Sequence, residues 1–442
     1  MPHRPGFESY RSCANILADN FNRLVRLRRG IRTWSLRAAT LLLLAVVGVG
    51  VAGMRAEAAD PVASDSSSAT GLNFHGAALS LTQGESPAFD YDGDGDLDIL
   101  LSSHGVSPWP LLQNQGDGTF VEVLSGTFYK TDRHGCVAAD FGSLNEGGLP
   151  DGLPDLYCIT GACNGKCTKA YPNSLFLQSA DHTFTNVAAS WGVTDPHGRA
   201  RKAVVLDYDK EGLPDIAVAN EGPSIYPAEN RLFHNLGGRF EEVLDSPVKS
   251  ILYSPTVVAG DLDGDGWTDL IFRRKVDTSL RIVTYRNDQG TFTDISAGTA
   301  YKKRVAEELE LADMNGDGRP DLLIVELRRL SVWLNVDGTF PKANFTFTLQ
   351  QGRDVAVGDV DLDGKPDIYV VQGPNSSNQD IMLLNNGTGR SYRTMPIPQV
   401  TVGDGDVATV IPNWNGSGRA AFLVTNGRWG KSGPVQLITF QP

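Results

Sequence analysis

Acidic, glycine-containing segments alternate with short apolar runs along most of this chain. Five of these segments share the pattern D-x-D/N-x-D/E-G-x-x-D, and each leads directly into an apolar run. Short apolar runs bounded by Gly and Asp are typical of buried β-strands. The segments are FDYDGDGDLDILL from Phe89, LDYDKEGLPDIAV from Leu206, GDLDGDGWTDLIF from Gly260, ADMNGDGRPDLLI from Ala312 and GDVDLDGKPDIYV from Gly358.

The spacing of the carboxylates in these segments predicts calcium sites. Acids at positions 1, 3 and 5 place hard oxygens on one side of a tight loop, the Gly at position 6 permits the turn, and position 9 adds a further carboxylate. An EF-hand loop has Glu at position 12, where these loops have apolar residues such as Leu101 and Phe272. The pattern therefore predicts about five Ca²⁺ sites of another kind.

Two degenerate copies extend the series to seven. Residues 140–155 keep the second half of the loop after an insertion, and residues 413–424 keep its skeleton with few carboxylates. We expect no metal at the seventh copy and leave metal binding at the second copy open. The first positions, 90, 140, 207, 261, 313, 359 and 413, are separated by 46 to 67 residues, which is the length of one four-stranded propeller blade.

A second motif, Asn followed by Gly and then Phe, recurs between the loops and predicts a hairpin turn. A blade then consists of strand a, the acidic loop, strand b, a connector, strand c, the Gly turn and strand d. The motif occurs at Asn114–Phe120, Asn235–Phe240, Asn287–Phe292 and Asn335–Phe340.

The predicted fold is an all-β, seven-bladed β-propeller of four-stranded blades over residues 72–442. The last blade has only three predicted strands, at 407–411, 421–425 and 435–440. We therefore predict that an N-terminal strand, residues 72–79, supplies the fourth and closes the ring, because closure removes exposed strand edges.

These repeats resemble the FG-GAP and VCBS repeat family, whose members include the integrin α-subunit head and cartilage acidic protein. The resemblance covers residues 72–442 and implies calcium in the a–b loops on one face of the propeller. The implied ligands are Asp90, Asp92, Asp94 and Asp98; Asp207, Asp209, Glu211 and Asp215; Asp261, Asp263, Asp265 and Asp269; Asp313, Asn315, Asp317 and Asp321; and Asp359, Asp361, Asp363 and Asp367.

The N-terminal segment resembles an export signal. An apolar run at 38–54 follows an Arg-rich stretch, and Ala56-Glu57-Ala58 offers small residues for cleavage. We predict a signal peptide over residues 1–58 and a linker over 59–71. An uncleaved membrane anchor is the alternative, since roughly 17 residues is at the lower limit for spanning a bilayer. Both place the remainder outside the cytoplasm, as a secreted, periplasmic or cell-surface protein.

The charge distribution excludes nucleic acid as a partner. The chain has a net charge of −13, although its first 58 residues contain nine Arg against three acids. The body is therefore even more acidic than the whole, whereas phosphate binding needs a basic surface. A membrane partner is expected only if the N-terminal segment is uncleaved.

Four cysteines fall in the second blade, at Cys136, Cys158, Cys163 and Cys167. In an exported protein, an even and clustered set predicts two disulfides. Cys136 precedes the loop and Cys158 follows it, so a cross-strand pair is feasible and leaves Cys163 with Cys167. A zinc site is the alternative, but the spacing fits zinc patterns poorly.

The sequence gives little indication of catalysis. It has no HExxH, GxSxG or Walker motif, and metal ligation would account for the many carboxylates. We therefore predict a non-enzymatic binding or adhesion module for a protein or glycan, with a propeller-based carbohydrate-active enzyme or a structural envelope protein as alternatives. The single histidines are predicted surface or turn residues: His104, His134, His182, His197 and His234.

The longest b–c connectors, in blades one to three, predict a ligand face opposite the calcium loops. They carry His104, Trp109, Tyr171 and Tyr226, although these side chains could instead pack the connectors. Trp267, inside a calcium loop, is interpreted as a cover for neighbouring strands rather than a sugar platform.

Overall fold

The computed structural model describes residues 61–442 with short gaps at 71, 73–78, 81–85, 103–108, 125–126, 129–132, 146, 162–170, 222–228, 251–252, 277–278, 374–378, 398–404 and 429–430. Residues 1–60 lie outside the described residues, so the export signal over 1–58 stays a prediction. None of the helices in the described part is long and apolar enough to cross a membrane.

Seven antiparallel sheets of four strands form the blades of a ring, which confirms the predicted seven-bladed β-propeller. Blades one to six each consist of four consecutive strands, starting with β3, β7, β11, β15, β19 and β23. The described residues also include two 3-10 segments, Pro247–Ser250 and Ser296–Gly298. The strands are β1 Val62–Asp65, β2 Leu79–Ser80, β3 Ala88–Phe89, β4 Asp98–Leu100, β5 Leu111–Asn114, β6 Phe120–Leu124, β7 Arg133–Ala139, β8 Asp155–Thr160, β9 Ser174–Gln178, β10 Phe184–Asn186, β11 Ala200–Leu206, β12 Asp215–Asn220, β13 Arg231–Asn235, β14 Phe240–Glu242, β15 Thr256–Gly260, β16 Asp269–Val276, β17 Ser279–Asp288, β18 Thr291–Asp294, β19 Glu308–Ala312, β20 Asp321–Glu326, β21 Arg329–Trp333, β22 Phe345–Thr348, β23 Gly352–Gly358, β24 Asp367–Gln372, β25 Ile381–Asn385, β26 Tyr392–Met395, β27 Gly405–Ile411, β28 Ala421–Arg428 and β29 Lys431–Gln441.

The apolar run after each loop is strand b, and it is buried on both faces between neighbouring blades. Side chains alternate along a strand, so in blade one Ile99 and Leu101 pack against blade seven, while Leu100 packs against blade two. The same alternation produces a hydrophobic cluster at each of the seven blade interfaces. Continuous apolar runs are therefore needed here, and an alternating pattern would leave one interface polar.

Blade seven takes strands from both ends of the described chain. Its strands β27, β28 and β29 confirm the three predicted there, and β1 pairs with β29, placing Val62 opposite Gln441. Closure of the ring by an N-terminal strand is confirmed, but the closing strand is β1, within the predicted linker, and not residues 72–79. Of those residues, 73–78 lie outside the described part of the chain, and Leu79 begins β2, which pairs with β29 at Gly433.

Polar cross-strand contacts explain why the closing strand was missed. Ser64 Oγ lies 3.0 Å from Thr439 Oγ1, and Gln436 Nε2 donates to Asp65 Oδ2 over 2.7 Å. Cross-strand polar pairs stabilise a sheet edge without an apolar pattern. The composition of this strand therefore resembles that of a linker.

A disulfide joins Cys136 on β7 to Cys158 on β8. The two residues are directly opposite in the sheet register, as the cross-strand pairing predicted. This bond excludes a zinc site made of all four cysteines. Cys163 and Cys167 lie outside the described residues, so their pairing stays a prediction.

Candidate metal centres

The blade-four loop shows how position 1 shapes each acidic loop. The Gly264 N–H donates to Asp261 Oδ1 over 2.8 Å, and the Gly266 N–H donates to Asp261 Oδ2 over 2.7 Å. Both glycines have positive φ, 79° and 82°, which glycine adopts without steric cost. The first carboxylate thus folds the loop around itself.

Positions 3 and 5 complete a cluster of oxygens at the loop tip. The Asp265 N–H donates to Asp263 Oδ1 over 3.3 Å, and the Trp267 N–H donates to Asp265 Oδ1 over 2.8 Å. Asp261, Asp263 and Asp265 each offer an oxygen within 4.8 Å of the others. Three of the other loops also bring predicted residues together. Positions 1, 3 and 5 meet in blade one (Asp90, Asp92 and Asp94), and positions 1, 3 and 9 meet in blade three (Asp207, Asp209 and Asp215) and blade six (Asp359, Asp361 and Asp367).

The blade-five loop has Asn at position 3. The Asp317 N–H donates to Asn315 Oδ1 over 2.9 Å, and the Gly318 N–H donates to Asp313 Oδ2 over 2.7 Å. An amide oxygen is a calcium ligand like a carboxylate oxygen, but it carries no charge. This loop therefore keeps the geometry with one acid fewer.

Position 9 is buried and has a structural role that the sequence did not reveal. Asp269 is 2% exposed, and its two oxygens accept the N–H groups of Leu262, over 3.0 Å, and of Asn287, over 2.7 Å. The carboxyl thereby joins the loop to strand c. The same pair of bonds is made by Asp98, Asp155, Asp215, Asp321 and Asp367.

Burial raises the pKa of each position-9 carboxyl despite these bonds. It raises the pKa to about 7 for Asp98, Asp215 and Asp367, and to about 6 for Asp269 and Asp321. Neighbouring loop carboxylates add to the shift. A cation beside these groups would favour the ionised form and offset the cost.

The donor set fits calcium. Each of the five complete loops offers carboxylate or amide oxygens at positions 1, 3, 5 and 9, the hard ligands that calcium takes. In blade three, Asp207 Oδ1 is shielded from solvent and accepts no hydrogen bond among the described residues. Since a buried polar atom normally has a partner, this oxygen fits a metal ligand.

The blade-two loop keeps its frame despite the insertion. The Gly152 N–H donates to Asp140 Oδ2 over 2.5 Å, and the Asp151 N–H donates to Asp140 Oδ1 over 3.1 Å. Gly152 therefore takes the place of the position-6 glycine, and Asp155 holds position 9. The insertion replaces position 3, so metal binding here stays open.

An amide at the end of strand c joins each loop to the next blade. In blade four, Asn287 Nδ2 donates over 2.7 Å to the carbonyl of Tyr208, position 2 of the blade-three loop. The sequence analysis recognised this Asn only as the start of a Gly turn. The equivalent bonds run from Asn114 to Trp414, Gln178 to Tyr91, Asn235 to Phe141, Asn335 to Leu262 and Asn385 to Met314. In blade seven, Arg419 of the a–b loop donates to the carbonyl of Val360 instead.

The structure places two of the four predicted ligand-face residues. Trp109 is 1% exposed and packs between blades one and two, which agrees with the alternative that this side chain has a packing role. Tyr171 is half-buried, and its carbonyl accepts the Thr160 hydroxyl. His104 and Tyr226 lie outside the described residues. On the loop face, Lys210 of the blade-three loop covers the ring of Trp267 in the blade-four loop. Its Nζ lies 4.3 Å from the ring centroid.

Two of the histidines predicted to be surface or turn residues lie on strands. His134, on β7, is buried, which contradicts the prediction. His234, on β13, has a side chain that is 21% exposed, with Nε2 2.9 Å from Asp209 Oδ2 and 2.7 Å from Glu211 Oε1. His234 is the residue before the recurrent Asn, and this position could have been recognised from the sequence. At the same position, Gln113 in blade one and Arg286 in blade four also contact the position-3 acid of their loops.

Seven blades, five of them with complete acidic a–b loops, define the class of protein, a β-propeller with candidate metal loops at one end of its blades. Residues 207–272, 261–324 and 313–370 match the FG-GAP-like repeat family, which confirms the resemblance for residues 207–370. Each match begins at the first acid of one loop and ends in strand b of the next blade.

The chain is 26% identical to human cartilage acidic protein 1 over 284 residues, which are 57% of this chain and 39% of the human protein. It is also 26% identical to the mouse protein over 165 residues, 35% of this chain and 25% of the relative. The chain thus spans well under half of these relatives. Among solved structures, an Agrocybe aegerita lectin that recognises non-reducing terminal N-acetylglucosamine aligns with a TM-score of 0.47 at 18% identity, covering 74% of this chain and 87% of the lectin.

Proposed function

We propose that this protein is an exported binding module, in which calcium stabilises the propeller and the face opposite the acidic loops binds a protein or glycan. The observation that carries the proposal is the set of five acidic loops, built alike around position 1 and joined to the next blade at position 2. The FG-GAP-like repeats and the likeness to cartilage acidic protein 1 support a binding role.

Calcium in this proposal has a structural role. A metal ion at positions 1, 3, 5 and 9 would hold the loop tip to the buried carboxyl that anchors strand c. The position-2 carbonyl of the same loop accepts the amide of the next blade. A change at one loop is therefore transmitted to a blade interface, and loss of metal is expected to weaken the ring as a whole.

The hydrogen bonds of the loop carboxylates favour binding over catalysis. Asp269 accepts two backbone N–H groups, and so does Asp261. A general acid or base needs a carboxyl that is free to exchange a proton with substrate. These carboxyls are committed to holding the backbone, which supports a non-enzymatic module.

The opposite face is the better candidate for the partner, because connectors of variable length emerge there while the loop face is occupied by repeated structure. Charged side chains at this end are already paired, as Arg201 Nε with Glu221 Oε2 at 2.7 Å and Lys202 Nζ with Glu308 Oε1 at 3.2 Å. Such pairs fix the strand ends from which the connectors start, and rigid scaffolds of this kind present binding loops.

Thermal unfolding with and without a calcium chelator tests the structural part of the proposal. At tenfold excess of calcium over Kd, each independent site contributes about 1.4 kcal/mol. Chelation should therefore lower Tm by several degrees, and calcium, but not an equal concentration of magnesium, should restore it. An unchanged Tm would contradict the structural role of calcium.

A screen against glycans and matrix proteins in calcium tests the binding part. A hit should weaken in Tyr171→Ala, on the connector side, and should persist in the matched loop-face control Trp267→Ala. If binding weakens only in Trp267→Ala, the partner binds the loop face, which would contradict the proposal. Turnover of any glycan in the screen would contradict the proposal that the module is non-enzymatic.

A further inference from the structure

The blade-three loop differs from the other acidic loops in both its ligands and its surroundings. Position 5 is Glu211 rather than Asp or Asn, and His234 reaches the loop from strand c. Asp209, Glu211 and His234 each offer a donor atom within 4.8 Å of the other two, and a second group of this kind joins Asp209 to Asp207 and Asp215. The loop therefore presents four carboxylates and one imidazole.

The imidazole is held in place by packing. The Tyr208 and His234 rings meet edge to face, with centroids 5.4 Å apart. The backbone of His234 is fixed on the other side by pairing with Glu241 of β14. The ring nitrogen thus faces the loop through the fold of the blade, and the longer Glu211 side chain extends to meet it.

We infer that the blade-three loop is a site for a transition-metal ion of the Mn²⁺ to Zn²⁺ series, with His234 as a nitrogen ligand alongside Asp209 and Glu211. Imidazole favours such ions, whereas calcium takes oxygen ligands. The Nε2 to carboxylate distances of 2.7 and 2.9 Å are near the separation of roughly 3 Å between adjacent ligands of an ion with bonds of ~2.1 Å.

The shielded Asp207 Oδ1 supports a metal at this loop independently of His234. Among the described residues it has no hydrogen-bond partner, although the other oxygen of Asp207 accepts the Gly212 N–H over 2.9 Å. A protonated His234 paired with the two acids explains neither this oxygen nor its place in the Asp207, Asp209 and Asp215 group. The inference rests on the proposed metal-binding role of the loops and adds the identity of one ion.

Blade one offers a matched position for the test. Gln113, one residue before Asn114, donates to Asp92 just as His234 contacts Asp209. The variants His234→Gln and Gln113→His therefore exchange the two side chains between equivalent sites. Both positions lie at the loop edge, and circular dichroism and Tm in calcium would verify that each variant is folded.

Zinc titration of the full chain, followed by calorimetry in millimolar calcium, tests the inference. The native chain should bind one Zn²⁺ that calcium does not displace, and His234→Gln should weaken this binding by at least ~10-fold. Gln113→His should add a second zinc site. The Co²⁺-loaded protein should show the absorption of a nitrogen ligand, and His234→Gln should lose it.

Two results would overturn the inference. One is equal zinc affinity and stoichiometry in the native chain and His234→Gln. The other is tighter calcium binding in His234→Gln without any change in zinc, which would make His234 a stand-in cation rather than a ligand. If either result is accompanied by calcium binding at the other complete loops, the inference fails and the proposed function stands. If zinc binds at blade three and calcium binds at none of the other loops, the inference stands and the proposed function fails.

Discussion

The acidic loop of blade four and the degenerate loop of blade seven share a glycine turn but have very different charge, and Asn413 at position 1 of blade seven has a positive φ of 51°. In both, the residue at position 1 accepts the N–H of the position-6 glycine, at 2.7 Å for Asp261 and 2.6 Å for Asn413. The glycines at positions 4 and 6 have matching positive φ, 79° and 82° in blade four, and 74° and 83° in blade seven. Positions 3, 5 and 9 are Asp263, Asp265 and Asp269 in one loop, and Asn415, Ser417 and Ala421 in the other.

The comparison shows that the loop does not need its carboxylates in order to fold. Glycines and one side-chain acceptor give a similar turn at positions 4 to 6 in blade seven. In blade four the additional acids lie close together, and burial raises the pKa of Asp269 to about 6. Such an arrangement is unfavourable unless a cation offsets it, which is the physical reason for expecting metal in blade four and none in blade seven.

The largest expected effect comes from removing position 9 of blade four. Asp269→Ala leaves the buried N–H groups of Leu262 and Asn287 without their acceptor, at about 1–3 kcal/mol each. Denaturant unfolding in chelator, where metal cannot contribute, should show a loss of roughly 2–6 kcal/mol. The control is Asp265→Ala, whose carboxylate is at the exposed tip. Equal losses in the two variants would show that position 9 has no special structural role.

An intermediate effect is expected from the bond between blades. Asn287→Ala removes the donor to the Tyr208 carbonyl and the acceptor of the Gly290 N–H. We expect a loss of about 1–3 kcal/mol in the free energy of unfolding, measured by denaturant titration. In blade seven, Arg419→Ala removes the bond of the a–b loop to Val360 at a more exposed site and should cost less. The reverse order would mean that the amide contributes little to holding the blades together.

The smallest effect is expected from restoring acids to blade seven. The triple variant Asn413→Asp, Asn415→Asp and Ser417→Asp should gain one weak calcium site, since the glycine turn at positions 4 to 6 already resembles that of blade four. Ala421 still lacks the carboxylate of position 9, so stabilisation at tenfold excess of calcium should stay below ~1.4 kcal/mol. Calcium titration by calorimetry measures the gain, and the same variant in chelator serves as control. An unchanged number of sites would show that position 9 is indispensable.

The sequence was sufficient for the fold because the loops repeat. Their regular spacing gave the blade count, and the degenerate copy at Asn413 completed it. The closing strand was missed because Val62–Asp65 is held by polar contacts such as that of Ser64 with Thr439, and no apolar pattern marks it. Pairing with a strand more than 370 residues away is not visible in local composition.

The site was predicted less completely than the fold. The spacing identified the acids, but it could not distinguish the exposed Asp265 from the buried Asp269, because burial depends on the neighbouring strand c. For the same reason His234 was assigned to a surface or turn. Its contact with the loop acids exists because strand β13 lies beside the loop, and this arrangement is visible only in the assembled blade.

The most direct measurement of the central claim is the number of divalent ions bound per chain, by native mass spectrometry after dialysis into calcium with trace zinc. The account predicts about five ions, one for each complete acidic loop, and about three when Asp261 and Asp313, which belong to two of these loops, are both replaced by Ala. A chain that retains no calcium, or a count unchanged by those substitutions, would contradict it.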